Sequence, residues 1–322
     1  MFKMKSALYI VAIFSLALVS CTDRLPVAGM PEDIEKGNGA ITMISATVKP
    51  LYVQGLTGVG KYKWGEHQTL GIIPTNGENV QYLPVKSTTG DSEAFFYGNE
   101  VGKGDGSELS IYMPYSNENG AKAKDGRLSM LSEQVYYSNA FDHLMYNSTF
   151  LATTTSTNVE FDYYAGLLQV AVTYDINNIK AVKVVVGNID TNGNYNAFVS
   201  GDYSIADESL SNDESCQDYV TVNVKEEGVN ATIDKPLTVW VALAPGTYEN
   251  FVIILNGEDS NGNATSVTIP VKGEKVNANG EKEASPFVIE RCALASQVCV
   301  AKKVYYNNGV DDLLPEEGKF NE

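Results

Sequence analysis

From residue 64 onward the chain is a series of short apolar segments separated by turn-forming residues. Val159-Glu160-Phe161-Asp162-Tyr163 alternates apolar and polar positions, which is the pattern of a half-buried strand. No segment holds a period of 3.6 residues over three turns. Short strands at roughly 8–12-residue spacing with turn signals between them predict an all-β sandwich or barrel. The predicted strands are Thr69–Ile73, Val80–Val85, Glu93–Tyr97, Glu108–Pro114, Leu128–Leu131, Gln134–Tyr137, Asp142–Tyr146, Phe150–Ala152, Val159–Tyr163, Leu167–Tyr174, Ala181–Val186, Tyr219–Val224, Leu237–Ala242, Phe251–Asn256 and Ser266–Val271.

An earlier strand is predicted at Ala40–Val48, and it differs from the others. Its sequence, AITMISATV, is nearly apolar on both faces, which is typical of a strand covered on two sides. It is either an ordinary core strand or one whose removal would expose an apolar slot. The Gly-rich stretch Leu51–Lys63 that follows reads as a loop.

The N-terminus has the pattern of an export signal. Lys3 and Lys5 precede an apolar run, Ala7–Val19, which is shorter than the roughly 20 residues of a membrane-spanning helix. The run closes with Leu18-Val19-Ser20-Cys21, so residues 1–20 are interpreted as a bacterial lipoprotein signal peptide and Cys21 as the lipidated N-terminus. Several acyl chains on one residue suffice for stable anchoring. An ordinary cleaved signal with a chance cysteine is the alternative.

Domain boundaries follow from composition. Residues 21–37 carry prolines and scattered charge without periodicity, so we interpret them as a lipidated tether. The Thr/Ser run Thr153–Thr157 divides the remainder into an N-terminal domain, residues 38–157, and a C-terminal domain, residues 158–322.

Charge and composition narrow the class of partner. The formal net charge is −17, and it becomes −19 once Lys3 and Lys5 are removed with the signal. An acidic surface disfavours nucleic-acid binding, which needs clustered Lys and Arg. The 19 Tyr and 28 Gly fit strands and turns.

Three cysteines remain besides Cys21, and their odd number leaves at least one unpaired thiol outside the cytoplasm. Cys292 and Cys299 could form a disulfide if the chain turns between them, whereas Cys216 stands alone. The other interpretation, which we favour, is three small buried apolar residues.

Candidate chemistry is sparse. Asp190-Thr191-Asn192-Gly193-Asn194 and Asp259-Ser260-Asn261-Gly262-Asn263 resemble oxygen-rich calcium loops, but neither has the EF-hand spacing, and Asn-Gly favours hairpin turns. The two histidines, His67 and His143, lie outside any metal-protease or hydrolase motif. We therefore expect no enzymatic activity, no cofactor and no metal.

Several stretches, taken in order, resemble the fimbrillins of Bacteroidales, the type V pilins. Each stretch is weak alone, and their order after the lipoprotein signal is the evidence. The stretches are Trp64-Gly65-Glu66 with Leu70-Gly71-Ile72, Ser110-Ile111-Tyr112-Met113-Pro114-Tyr115, Asp142-His143-Leu144-Met145-Tyr146, Val159-Glu160-Phe161 with Ala165-Gly166-Leu167-Leu168, and Trp240-Val241-Ala242-Leu243-Ala244-Pro245-Gly246-Thr247-Tyr248.

This resemblance implies two transthyretin-like Greek-key β-sandwich domains in an outer-membrane lipoprotein exposed at the cell surface. It also implies assembly into a fimbrium that supports adhesion. Proteolysis would remove the first strand, and a strand from another fimbrial subunit would fill the slot. Such an insertion uses main-chain hydrogen bonds and alternate side-chain pockets.

The processing site departs from the family pattern. The major pilins are cut after an Arg shortly beyond the first strand, and this loop holds none. Lys61 and Lys63 are the candidate sites, because Lys49 precedes Pro50 and Arg24 lies before the strand.

Three functions remain open at this point. The first is a polymerising stalk or minor subunit, with Pro286–Tyr306 as the candidate donor unless that segment is the last hairpin of its own domain. The second is a fimbrial anchor or tip subunit that keeps its lipid and first strand. The third is a surface glycan-binding lipoprotein that uses tyrosine pairs, and its host or glycan ligand is unknown. The pairs are Tyr136-Tyr137, Tyr163-Tyr164 and Tyr305-Tyr306.

Overall fold

The computed structural model describes residues 40–50, 52–53, 62–75, 77–102, 108–187, 197–291 and 293–302. The predicted signal peptide, Cys21, the tether and Lys61 lie outside these residues, as do the sequence 190–194, Cys292 and the last four residues, 303–306, of the predicted donor segment.

Among the described residues before 162, the elements are ten strands, two α-helices and one short 3₁₀-helix, Lys86–Thr88. In chain order they are β1 (Ala40–Val48), β2 (Tyr52–Val53), β3 (Leu70–Pro74), β4 (Val80–Pro84), β5 (Glu93–Gly102), β6 (Leu109–Met113), α1 (Asn117–Lys124), β7 (Arg127–Met130), β8 (Glu133–Val135), α2 (Ala140–Asn147), β9 (Phe150–Thr154) and β10 (Asn158–Phe161).

In the part of the chain after residue 162 that the structure describes, all the elements are strands. They are β11 (Gly166–Val172), β12 (Asn177–Val186), β13 (Gly201–Ser204), β14 (Ser209–Leu210), β15 (Tyr219–Asn223), β16 (Leu237–Leu243), β17 (Gly246–Tyr248), β18 (Asn250–Glu258), β19 (Ala264–Lys272), β20 (Glu274–Val276), β21 (Lys282–Ala284), β22 (Phe287–Ile289) and β23 (Ala293–Ala301). The prediction of a mainly β protein is confirmed.

One predicted strand, Asp142–Tyr146, is wrong, because these residues lie in helix α2. The helix begins after Asn139, whose side-chain oxygen accepts a hydrogen bond from the Asp142 N–H at 2.8 Å. Five mainly apolar residues are too few to distinguish a period of 2 from one of 3.6, so the cap was the informative signal.

The N-terminal part is built on one seven-stranded sheet in the order β10-β1-β5-β4-β3-β6-β9. Its two edge strands, β9 and β10, follow each other in the chain and are in contact, so the sheet curls around its own core. Aromatic rings fill that core, and those with 1% exposure or less are Tyr62, Trp64, Tyr82, Phe96, Phe150, Phe161 and Tyr163.

The C-terminal part contains two larger sheets that share one aliphatic core. Their orders are β19-β18-β12-β15-β8 and β16-β11-β23-β2. Side chains from both sheets form a single buried cluster rich in Val, Ile and Leu. Burying such side chains is the main favourable contribution to folding, at about 25 cal/mol per Å² of apolar surface.

The two parts of the chain are interleaved. Strand β10 lies after the Thr/Ser run and pairs in parallel with β1. Strands β7 and β8 lie before that run, but they pair with β13 and β15 of the later sequence. The proposed domain boundary near residue 157 stays a prediction.

Gly65 and Gly71 differ in the space around them, so alanine substitutions at the two positions should differ in their effect on stability. Gly71 in β3 faces Tyr112 of β6, and a Cβ added to Gly71 would lie 2.1 Å from the Tyr112 ring. The Tyr112 hydroxyl is anchored to Asn79 Oδ1 at 2.7 Å, so the ring cannot move freely. Gly71→Ala should therefore lower the free energy of unfolding by about 1–3 kcal/mol or more in urea denaturation.

Gly65→Ala is the control, because the nearest atoms to its added Cβ are 3.7 Å away. Equal unfolding free energies for the two variants would contradict the predicted packing of Gly71 against Tyr112.

Candidate functional site

Strand β1 is an interior strand that is buried on both faces, as its sequence predicted. It pairs with β5 over Ala40–Thr47 and with β10 over Ser45–Val48. Ile44 and Ala46 point into the aromatic core and are 1% and 0% exposed, whereas Met43 and Ser45 on the other face are each 5% exposed. The strand is thus paired with β5 along one edge and with β10 along the second half of the other edge, and side chains cover both of its faces.

Polar contacts fix the register of β1. A bulge between Ile41 and Met43 places Ile41 in the same buried cluster as Ile44. The Tyr82 hydroxyl donates a hydrogen bond to the Ile41 carbonyl at 2.8 Å. Ser45 Oγ donates to Glu93 Oε1 at 2.5 Å. A replacement strand would have to reproduce this bulge and bond to Tyr82 and Glu93. Otherwise these two side chains would lose the hydrogen bonds that they make to β1.

The residues just before β3 pack into the same aromatic core. Tyr62 and Trp64 are each 1% exposed, and their rings meet edge to face at 5.0 Å. Lys63, the one candidate processing residue that the structure describes, lies exposed between them. A protease that binds several residues in extended form would have to pull at least one of these rings out of the core.

A charged cluster ties the end of β1 to distant parts of the chain. Asp162, just after β10, accepts hydrogen bonds from Lys49 Nζ at 2.7 Å and from Arg291 Nη2 at 2.9 Å. The Arg291 guanidinium also lies 4.1 Å from the centre of the Tyr164 ring. Since Arg291 lies between β22 and β23, the cluster joins the first strand to the C-terminal strand pair.

The predicted donor segment begins in the C-terminal part of the same molecule. Strand β23 lies between β11 and β2 and is parallel to both. Cys299 and Ala301 are fully buried in the aliphatic core, whereas Val298 and Val300 on the opposite face are 43% and 39% exposed. In the monomer this segment is therefore part of the molecule's own sheets, as the alternative interpretation held. The predicted hairpin is wrong, because β22 pairs with β17 and β23 pairs with β11 and β2.

Cys216 and Cys299 are free, buried thiols. Strand β23 runs from Ala293 to Ala301 as one element, without the turn that pairing of Cys292 with Cys299 would require. Burial raises the pKa of the Cys299 thiol to about 12, which makes it unreactive. This agrees with the interpretation of these cysteines as small apolar residues.

The second of the two similar sequences, Asp259-Ser260-Asn261-Gly262-Asn263, forms a hairpin turn, as predicted. Asp259 Oδ1 accepts hydrogen bonds from the N–H groups of Asn261 and Asn263, and Gly262 has a φ of +80°. The turn joins β18 to β19. Within the described ranges, no group of three or more His, Cys, Asp or Glu side chains is arranged to hold a metal ion. No helix in those ranges is long and apolar enough to cross a membrane.

The proposed tyrosine pairs have different environments. Tyr163 and Tyr164 are both buried, so they cannot stack on a sugar without a rearrangement. Tyr137 stacks instead on Tyr146, with ring centres 4.8 Å apart, and Tyr146 is 50% exposed. Tyr305 and Tyr306 lie outside the described residues.

Comparisons with known proteins found a weak structural likeness and no match in sequence. No family model matches the chain, and no curated protein matches it. A crystal structure of a "putative adhesin" from Bacteroides ovatus ATCC 8483 is similar at 11% identity and a TM-score of 0.30, covering 83% of this chain and 94% of that one. A likeness this low supports no argument about fold or function.

A truncation measures how firmly the C-terminal strand belongs to its own sheet. Deleting Val298–Glu322 removes the buried side chains of Cys299 and Ala301, so we expect the monomer to lose about 2–5 kcal/mol of stability in urea denaturation. The matched control deletes residues 303–322 and leaves β23 complete.

If the longer deletion abolishes polymers while the monomer keeps its stability, the segment is a donor and not a core strand. That outcome would contradict the expectation drawn from β23.

Proposed function

We propose that this protein is a structural subunit of a cell-surface type V fimbria. The proposal includes export as a lipoprotein anchored through Cys21, two transthyretin-like sandwich domains and assembly by strand exchange with other fimbrial subunits. The observation that supports it best is the placement of β1, the strand that the proposed processing would remove, inside a sheet and buried on both faces.

Removal of β1 would create a strong acceptor. Strand β5 would lose the backbone partners that it now has in residues Ala40–Thr47 of β1. Strand β10 would lose those that it has in Ser45–Val48. The vacated positions of Ile41, Ile44 and Val48 open onto the apolar cluster. Each such side chain contributes about 1.5–3 kcal/mol when buried, so an empty slot is unfavourable and a strand from another subunit would stabilise it.

The exposed face of β23 suggests the donor. Val298 and Val300 are apolar and outward-facing, while the intervening Cys299 is buried. A slot that encloses a strand on both faces would bury all three side chains. Moving this strand from its own sheet to a partner's slot would therefore bury more apolar surface, but it would break the pairing of β23 with both β11 and β2.

An anchor subunit that keeps its first strand is the second candidate. The surroundings of Lys63 favour it, because both neighbouring residues are buried aromatics and the exposed Lys49 is followed by Pro50. An uncut chain would remain on the outer membrane through its lipid and would only donate a strand.

Limited proteolysis separates the two candidates. A Lys-specific protease should release an N-terminal fragment ending at Lys61 or Lys63, and the remaining body should then form multimers detectable by size-exclusion chromatography. A Lys61→Gln, Lys63→Gln double variant is the control and should stay intact and monomeric under the same treatment. A cut body that remains monomeric at high concentration would favour the anchor.

Lipidation is tested separately in the bacterium. Cys21→Ala should abolish incorporation of labelled palmitate and leave the protein unprocessed or soluble, because the acylated side chain is lost. Conversion of either buried cysteine instead, for example Cys216→Ala, should leave labelling intact. Unchanged labelling of the Cys21→Ala protein would contradict the lipoprotein assignment.

A further inference from the structure

Three side chains form a buried polar network where helix α2 meets the edge of β16. We call Gln134, His143 and Asn147 the amide latch. Their exposed fractions are 1%, 0% and 4%. No step of the proposed assembly uses the latch.

The Gln134 side chain replaces a missing strand partner. The Ala242 N–H donates to Gln134 Oε1 at 3.0 Å, and Gln134 Nε2 donates back to the Ala242 carbonyl at 2.8 Å. A primary amide thus supplies both hydrogen bonds that a neighbouring strand would give to this residue of β16. It satisfies backbone groups that would be costly to bury unpaired.

Asn147 repeats the arrangement on β8. The Val135 N–H donates to Asn147 Oδ1 at 2.7 Å, and Asn147 Nδ2 donates to the Val135 carbonyl at 2.8 Å. These two bonds fix the orientation of the amide, so its NH₂ group must face the imidazole of His143. The distance from Asn147 Nδ2 to His143 Nδ1 is 3.2 Å.

His143 joins the two amides and must be neutral to do so. Its Nε2 lies 2.7 Å from Gln134 Oε1, which is an acceptor, so Nε2 carries the hydrogen. Its Nδ1 faces the NH₂ group of Asn147 and must accept. Asn147 Nδ2 also donates to the His143 carbonyl at 2.9 Å, which holds the amide in this orientation. A proton on Nδ1 would therefore oppose the NH₂ donor of Asn147 and place a positive charge on a side chain that is 0% exposed. The Val135 backbone offsets part of this cost.

We propose that the amide latch is an acid-sensitive coupling between helix α2 with strand β8 and the edge of β16. A charged imidazole is costly inside this buried site, so acid favours the opened form, in which water hydrates His143. In that form Gln134 releases Ala242, and this edge of the four-stranded sheet opens locally. The contact between helix α2 with strand β8 and strand β16 would thus open rarely at neutral pH and more often in acid.

The surroundings of His143 give the proton no compensating charge. The titratable groups on the elements packed against it are Asp142 and Tyr146 on α2, Glu133 on β8, and Tyr136 and Tyr137 between them. Strand β16, Leu237–Leu243, has none. The imidazole bonds to none of these, since its two ring nitrogens face Gln134 and Asn147.

The direction of the pH effect follows. Burial lowers the pKa of His143 from 6.5 to about 3, against a smaller raising contribution from the Val135 backbone. Between those two values an opened latch binds a proton that the closed latch does not. The opening constant should therefore rise about tenfold for each pH unit below 6.5, and about twentyfold between pH 7 and pH 5.

Site-resolved hydrogen exchange of the full folded protein tests the proposal. After correction for intrinsic rates, protection of the Ala242 amide should fall about twentyfold from pH 7 to pH 5, a range above that in which most Asp and Glu side chains titrate. The Val184 amide, at the centre of the five-stranded sheet, should remain better protected than Ala242 at both pH values.

Two variants complete the test. His143→Gln offers a donor to Gln134 and an acceptor to Asn147 but does not titrate, so protection at Ala242 should change less than threefold. His67→Gln alters the exposed histidine and should keep the full response. The proposal is overturned if wild-type protection does not depend on pH, if His143→Gln keeps the twentyfold fall, or if Ala242 and Val184 exchange equally at both pH values.

Should His143→Gln fail to fold, the wild-type imidazole provides the readout by nitrogen-15 NMR. A neutral Nε2–H form that persists to pH 5 in the closed state supports the latch. Protonation with a midpoint near 6.5 while Ala242 stays protected overturns it.

Discussion

The structure depends on the enclosure of one strand. Strand β1 closes the N-terminal sheet, because it alone connects β10, the last strand of that sheet in the chain, to β5 and the rest. Its side chains also cap the cluster of aromatic rings that the curled sheet surrounds. An element with this position cannot be removed without exposing two backbone edges and a wall of apolar side chains, so something must occupy its place.

The same constraint acts wherever strands end in this interleaved chain. A curled sheet and two facing sheets leave backbone groups at their edges, and these need partners once they are buried. At the edge of β16 the partner is the side chain of Gln134, and at β8 it is the side chain of Asn147. Short polar side chains thus complete hydrogen bonding that regular strand pairing leaves unfinished.

Local pattern was enough to predict some parts and not others. The bounds of β1 and its burial on both faces follow from nine consecutive residues, AITMISATV, and the Asp259 turn from its Asn-Gly pair. The parallel pairing of β1 with β10 joins residues more than one hundred positions apart, and no local signal encodes it. Helix α2 was not predicted, because the five residues Asp142–Tyr146 are too few to distinguish the periods of a helix and a strand, and the capping residue, Asn139, lies outside them. The amide latch was missed because the partners of Gln134 and His143 are brought together only by the fold.

The position of β1 also bears on how strand exchange would proceed. If β1 left first, the aromatic cluster and the β5 edge would be exposed to water, at a cost comparable with the whole stability of a domain. Exchange in which an incoming strand pairs with β5 or β10 as β1 withdraws would expose less surface at each step.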